Sequence, residues 1–210
     1  MFDNIKKAIG YLFAGNLGAI IAILYAVIFN LPNPFTALQL LYINLVNDSL
    51  PAIALGMEKS EPDVMERKPR RTDEGIFTRD TLQAVLTRGL LIGIAVIISF
   101  YIGLSHSNEM GVAMAFTTLI LSRTLQTFAA RSNTQTAFGA GFFKNKYVIG
   151  AVFLGFILYG ITTLPFARDV FNIPQSFGWN EALVAAALAL AAAVLMEIVK
   201  ISFHRFSKDK

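Results

Sequence analysis

The stretch Leu41-Tyr42-Ile43-Asn44-Leu45-Val46-Asn47-Asp48-Ser49-Leu50-Pro51 sets two amides and one carboxylate in an otherwise apolar run. On a helix, Asn44 and Asp48 are one turn apart and share a face, with Asn47 close beside them. Amide oxygens and a carboxylate are what hard cations such as calcium take as ligands, roughly six to eight oxygens at a time. Pro51 sharpens the reading. It has no N–H for the carbonyl of Asn47, and its ring pushes that carbonyl aside. The helix is therefore expected to unwind locally near Asn47–Pro51 and free backbone oxygens, as broken helices do where they line ion sites in membranes.

Asn16 adds a further amide in Gly15-Asn16-Leu17-Gly18, where the glycines permit a second helix to come close. An interhelical hydrogen bond accounts for Asn16 equally well. For Asn44, Asp48 and Pro51 together it accounts less well, because a charged, kinked helix is costly scaffolding. Arg123 stands in another apolar segment and has two readings. It either snorkels to the headgroups or turns inward to Asp48, the one acidic side chain deep in these segments. Glu197 and Lys200 read as a surface pair. His106 and His204 have no metal-ligand spacing, and there is no nucleophile-and-base arrangement, glycine-rich phosphate loop or zinc motif.

The elements that must hold these residues follow from composition. Of 210 residues, 55% are hydrophobic and only 15% charged, with mean hydropathy +0.56; a soluble domain carries about 25% charged residues. Between Lys7 and Asp48 no side chain but tyrosine can ionise. The pattern predicts an all-α membrane protein with six transmembrane helices, over about 8–29, 35–57, 82–104, 111–130, 147–166 and 181–203. Asn30-Leu31-Pro32-Asn33-Pro34 makes the first turn, and Asp3 with Asn4 is placed to cap the first helix. Basic residues gather at Lys6 and Lys7, in the loop 58–81, at Arg131, Lys144 and Lys146, and in the tail from Lys200, whereas the opposite side has only Arg168. The positive-inside rule then puts both termini and the loop 58–81 in the cytoplasm. The net charge of +4 and pI near 9.4 are explained by this topology, so the bilayer and not nucleic acid is the expected partner. Cysteine is absent.

The segment Asn44–Gly56 (NLVNDSLPAIALG) resembles the sixth transmembrane helix of P-type calcium-transporting ATPases. Asp3-Asn4-Ile5-Lys6-Lys7, Tyr11–Gly18 (YLFAGNLG) and Met65-Glu66-Arg67-Lys68-Pro69-Arg70 extend the resemblance over the chain, most weakly after the fourth segment. The chain is similar to the C-terminal six-helix part of such a pump, the family's fifth to tenth helices, with an artificial or domain-boundary start expected. The resemblance implies Asn44 and Asp48 as calcium ligands, with Asn16 and Asn47 where two-site pumps of the sarcoplasmic reticulum have further ligands. It also shows two departures. Ala19 stands where those pumps have a ligand Glu on the fifth helix, and Arg123 where they have one on the eighth. One of two calcium sites would thus lose both carboxylates and gain a built-in cation, as in a bacterial single-site pump.

The function this implies is the ion-binding membrane portion of an ATP-driven calcium efflux pump, with proton counter-transport, in a bacterial plasma membrane. The family's phosphorylated Asp-Lys-Thr-Gly, its nucleotide and actuator domains, its first four helices and the Pro-Glu-Gly-Leu ligand segment are not in this sequence. ATP and magnesium would act only in the parent protein, and the partners would be its other helices and cytoplasmic domains. No catalytic residue is expected in this chain, which alone should not hydrolyse ATP. The loop 58–81 is either a solvated positive loop or, as the resemblance implies, a dock for the phosphorylation domain. The same fold serving sodium, potassium, protons or magnesium, or a stand-alone membrane scaffold, are the alternatives.

Overall fold

The computed structural model describes residues 2–58, 75–76, 78–132, 135–137, 139, 141 and 144–208, with side chains as far as Ser202. Among these residues there is no strand. The helices are α1 (Phe2–Ile28), α2 (Ala37–Tyr42), α3 (Ser49–Gly56), α4 (Arg79–Leu104), α5 (Asn108–Ala130), α6 (Lys146–Thr162), α7 (Pro165–Arg168) and α8 (Trp179–Lys208), with a π-helical turn, Ile43–Asn47, between α2 and α3. Residues 59–74 and 77 lie outside the described residues, and with them Arg67, Arg70 and most of the loop expected to dock.

Local chemistry sets the helix ends. Asn30 takes φ 56, and the Leu31 amide reaches back to the Ala26 carbonyl at 2.8 Å. This left-handed closure is what asparagine tolerates at a helix end. Thr36 opens α2 with a capping box closed by Gln39. Ser107 and Asn145 cap α5 and α6 with their side-chain oxygens. α6 stops at Thr162 and does not continue to Phe166. Leu164 is held at φ −69, ψ 148, as a residue before proline prefers, and Pro165 starts a separate short helix. Asn4 is not a cap for α1, which already begins at Phe2. Its amide instead donates to the carbonyl of Gly56 at 3.1 Å and to that of Glu58.

Among the described residues four helical runs are long and apolar enough to cross a membrane: Phe2–Ile28, Ala37–Gly56, Arg79–Leu104 and Trp179–Ser202. α5, at 23 residues, is long enough but less apolar, because Thr117, Thr118, Ser122, Arg123, Thr124, Gln126 and Thr127 interrupt it. α6 has 17 residues, about 26 Å of helix against a hydrocarbon core of about 30 Å.

α5 is the centre of the bundle and packs against α1, α3, α4, α6 and α8. Its polar side chains from Thr117 to Thr127 are buried. The outer faces are apolar instead, with Leu82, Leu86, Leu90, Ile94 and Ile98 making an exposed stripe at one-turn spacing along α4. A soluble domain has the reverse arrangement. α1 and α4 come together through glycine. A β-carbon added to Gly18 would lie 3.3 Å from the Gly89 carbonyl oxygen, and one added to Gly93 would lie 3.3 Å from that of Gly18. Only backbones without side chains approach this closely.

Candidate cation site

The polar cluster of the second apolar segment sits on the π-helical turn. The Asp48 amide donates to the Ile43 carbonyl at 2.9 Å, five residues back, so the helix is one residue wider here. The expected unwinding at Asn47–Pro51 is therefore corrected. The chain stays wound, Asp48 keeps φ −85, ψ −25, and the irregularity lies at Ile43–Asn47, ahead of the proline. Pro51 falls in the first turn of α3, where a missing N–H has no helical carbonyl to serve.

The other residues arrive from α1 and α5. Arg123 turns into the bundle, and its side chain is 1% exposed. Nη2 of the guanidinium makes an ion pair with Oδ2 of Asp48, whose side chain is equally buried. Nη1 donates to Oδ1 of Asn44 at 3.2 Å, and Nη2 to Oδ1 of Asn16 at 2.9 Å. One guanidinium thus collects oxygens from three side chains on two elements. Asn16 and Asn44 are themselves exposed residues, so the cluster opens to one side of the bundle. Asn47 is buried and accepts from Thr124 Oγ1 at 3.4 Å, apart from the guanidinium. Ala19 is buried among the apolar core residues of α1 and α4 and brings no ligand atom.

Tyr11 was not singled out by the sequence, yet its hydroxyl donates to Oδ1 of Asp48 at 3.3 Å. Its own carbonyl accepts from Gln126 Nε2 at 3.4 Å. A tyrosine in an apolar run has the same appearance as one at a headgroup boundary, so only the three-dimensional arrangement distinguishes it. Among the described residues no group of three or more His, Asp or Glu side chains is placed to hold a metal. A cation bound here would depend on amide and backbone oxygens beside the single carboxylate.

A second polar cluster lies at the far end of α3. Glu58 pairs with Arg131 through two bonds, Nε to Oε2 at 3.0 Å and Nη2 to Oε1 at 2.8 Å. Asn145 Nδ2 donates to Oε2 at 2.7 Å. Burial pushes the Glu58 carboxyl up, but the bonds from Arg131 and Asn145, with the charges of Arg131 and Lys7, hold it below the usual carboxylate value. Glu197 and Lys200, expected as a surface pair, do more than that. Lys200 Nζ donates to the carbonyls of Ala129 at 2.9 Å and Gln135 at 3.1 Å, and Glu197 accepts the Ala137 amide at 2.9 Å. The pair fastens the C-terminal end of α5 and the segment after it, where carbonyls left without helical partners attract a cation.

Membrane-length helices wrapped around amides, one buried carboxylate and a buried guanidinium define a transmembrane bundle organised about charge. Residues 32–202 match the family described as Cation transporting ATPase, C-terminus, and the chain belongs to that family. It is 73% identical over 99% of its length to a calcium-transporting ATPase of Listeria monocytogenes, covering 24% of that protein. It is 64% identical to calcium-transporting ATPase 1 of Lactococcus lactis over 95% of its length, covering 23% of it. A calcium-transporting ATPase of Bacillus subtilis is 44% identical over 75% of the chain, which covers 18% of that protein. The chain thus spans about a quarter of the length of the curated relatives it matches most fully.

Proposed function

We propose that this chain is the ion-binding C-terminal membrane portion of an ATP-driven calcium efflux pump. In this reading it crosses a bacterial plasma membrane six times with both termini in the cytoplasm. α5 and α6 complete the four more apolar spans, α5 being shielded from lipid by the helices around it. Asp48 and Asn44 are calcium ligands, Asn16 and Asn47 are weaker ones, and one calcium is carried per cycle. The remaining oxygens come from helices of the parent protein, which also supplies the sites for ATP and magnesium.

The observation that carries the reading is the Arg123 guanidinium held by Asp48, Asn44 and Asn16 together. Calcium and the guanidinium draw on the same oxygens, so they compete. Arg123 is then a built-in cation that takes the room of a second calcium and stabilises the carboxylate when calcium leaves. Proton counter-transport follows to the extent that the guanidinium does not neutralise the released site. Relatives named as calcium-transporting ATPases support the choice of calcium over other cations.

The test is transport by the complete pump in inside-out vesicles. Calcium should accumulate on addition of ATP, one ion per ATP split, while sodium, potassium and magnesium neither accumulate nor replace it. Accumulation of another cation in preference to calcium would overturn the assignment.

A further inference from the structure

Two acid–arginine pairs join the same two stretches of chain. Asp48, just before α3, pairs with Arg123, and Glu58, two residues past the end of α3, pairs with Arg131. The arginines are eight residues apart, one on α5 and one at its C-terminal cap, about 12 Å of helix, and the acids ten, about 15 Å at the same rise. The two pairs are rungs between α3 and α5, one at the polar centre and one at the end of the bundle.

The outer rung is the more directional. Two parallel bonds between Arg131 and Glu58 fix the angle of approach as well as the distance. Both partners are anchored in turn. Arg131 Nη1 donates to the Gly141 carbonyl at 3.0 Å. Asn145, which bonds Glu58, also donates to the Ala54 carbonyl of α3 at 3.3 Å and caps α6 through the Tyr147 and Val148 amides. The Glu58 carbonyl receives the Asn4 amide of α1. Helices α1, α3, α5 and α6 therefore meet at one residue, α1 at its carbonyl and α5 and α6 at its carboxylate. Two helices fastened at a single point can still slide and rotate past each other, whereas two rungs keep their register.

We propose that Glu58 and Arg131 are a register clamp: positioning residues that hold Arg123 opposite Asp48 and so set the affinity of the cation centre from outside it. The clamp rests on the reading of that centre given above. Its effect on α3 and α5 themselves is independent of which ion is carried, and the test uses that separation.

The chain has no cysteine, so this portion of the pump contributes no background to an introduced pair. Asn47→Cys with Thr124→Cys replaces two side chains that touch at 3.4 Å across the helices in question. Bridging them, by oxidation or a short bifunctional thiol reagent, is sensitive to shifts of an ångström. Adding Glu58→Gln should at least halve the yield, and so should Arg131→Lys, which keeps the charge but loses the parallel bonds. Undiminished yield in both overturns the clamp. In the complete pump with its native Asn47 and Thr124, Glu58→Gln should raise half-saturating calcium by about fivefold or more, with the maximal rate close to wild type. Glu58→Gln combined with Arg131→Met should be no worse than the worse single variant. A lowered maximal rate at unchanged half-saturation makes Glu58 a simple fastening and sinks the proposal. If the wild-type pump does not respond to calcium, the functional reading falls, and the bridging yield still decides the clamp.

Discussion

Gly15 is the floor on which the Arg123 guanidinium lies. A β-carbon added to Gly15 would stand 2.8 Å from both Cζ and Nη2 of Arg123. The guanidinium has no free direction in which to retreat, because Asp48, Asn44 and Asn16 hold its other edges. Gly15→Ala should therefore destabilise the chain by about 1–3 kcal/mol, the usual penalty of overpacking. In an Arg123→Ala background the same substitution should change stability by less than about 0.5 kcal/mol, since the clash is gone. Unfolding of the four proteins in detergent measures the difference, and equal losses in both backgrounds would contradict this geometry.

Asp48 is the only carboxylate among the candidate ligands. In the complete pump Asp48→Asn should abolish calcium-dependent phosphorylation by ATP while the protein still accumulates in the membrane. Asn44→Ala should weaken calcium binding without eliminating it, because one neutral oxygen is lost and the carboxylate stays. A phosphorylation assay titrated with calcium separates the two, and normal affinity in Asp48→Asn would remove Asp48 from the ligand set.

Arg123→Leu takes away the built-in cation but leaves the oxygens. If the guanidinium stands in for protons on the return step, this variant should alter the pH dependence of calcium transport. Initial uptake rates measured across a pH series decide the matter. A profile superimposable on that of wild type would leave Arg123 only a structural role.

Glu58 makes a prediction about acid stability. Its carboxyl lies below the ordinary value of 4.5 in the folded chain. A depressed acid contributes stability that is complete above the unfolded value and is lost as pH falls through the folded one. Wild type should therefore lose thermal stability below about pH 4.5 more steeply than Glu58→Gln, which has no proton to gain. Melting curves in detergent at graded acid pH check this; parallel declines would mean that the carboxylate is not stabilised by Arg131 and Asn145.

How much of this was legible beforehand depends on how unusual each residue is for its surroundings. Asn44, Asp48 and Arg123 stand out because a polar or charged group in an apolar run needs a partner, and the deep segments contain one carboxylate. The π-helical turn at Ile43–Asn47 was not legible. Pro51 marks strain, but whether the helix opens or widens depends on what packs around it. Glu58 reads as the first residue of a charged loop, since its partners Arg131 and Asn145 are more than seventy positions away. Lys200 and Glu197 read as a pair on one helix face, and the backbone carbonyls they hold leave no trace in side-chain spacing. Residue types report the need for a partner; the packing of α1, α3, α5 and α6 chooses it.

The contact of α1 with α4 through Gly18, Gly89 and Gly93 has a mechanical consequence. Each of these glycines seats a side chain of the other helix, Ile92 on Gly18, Leu17 on Gly89 and Ile21 on Gly93, so the two helices interlock and leave little room to absorb a displacement. A tilt imposed at the Phe2 end of α1 cannot be taken up at this crossing and must carry α4 with it. The two helices act as one stiff beam about 40 Å long, with Asn16 mounted near its middle and Asn4 at its driven end.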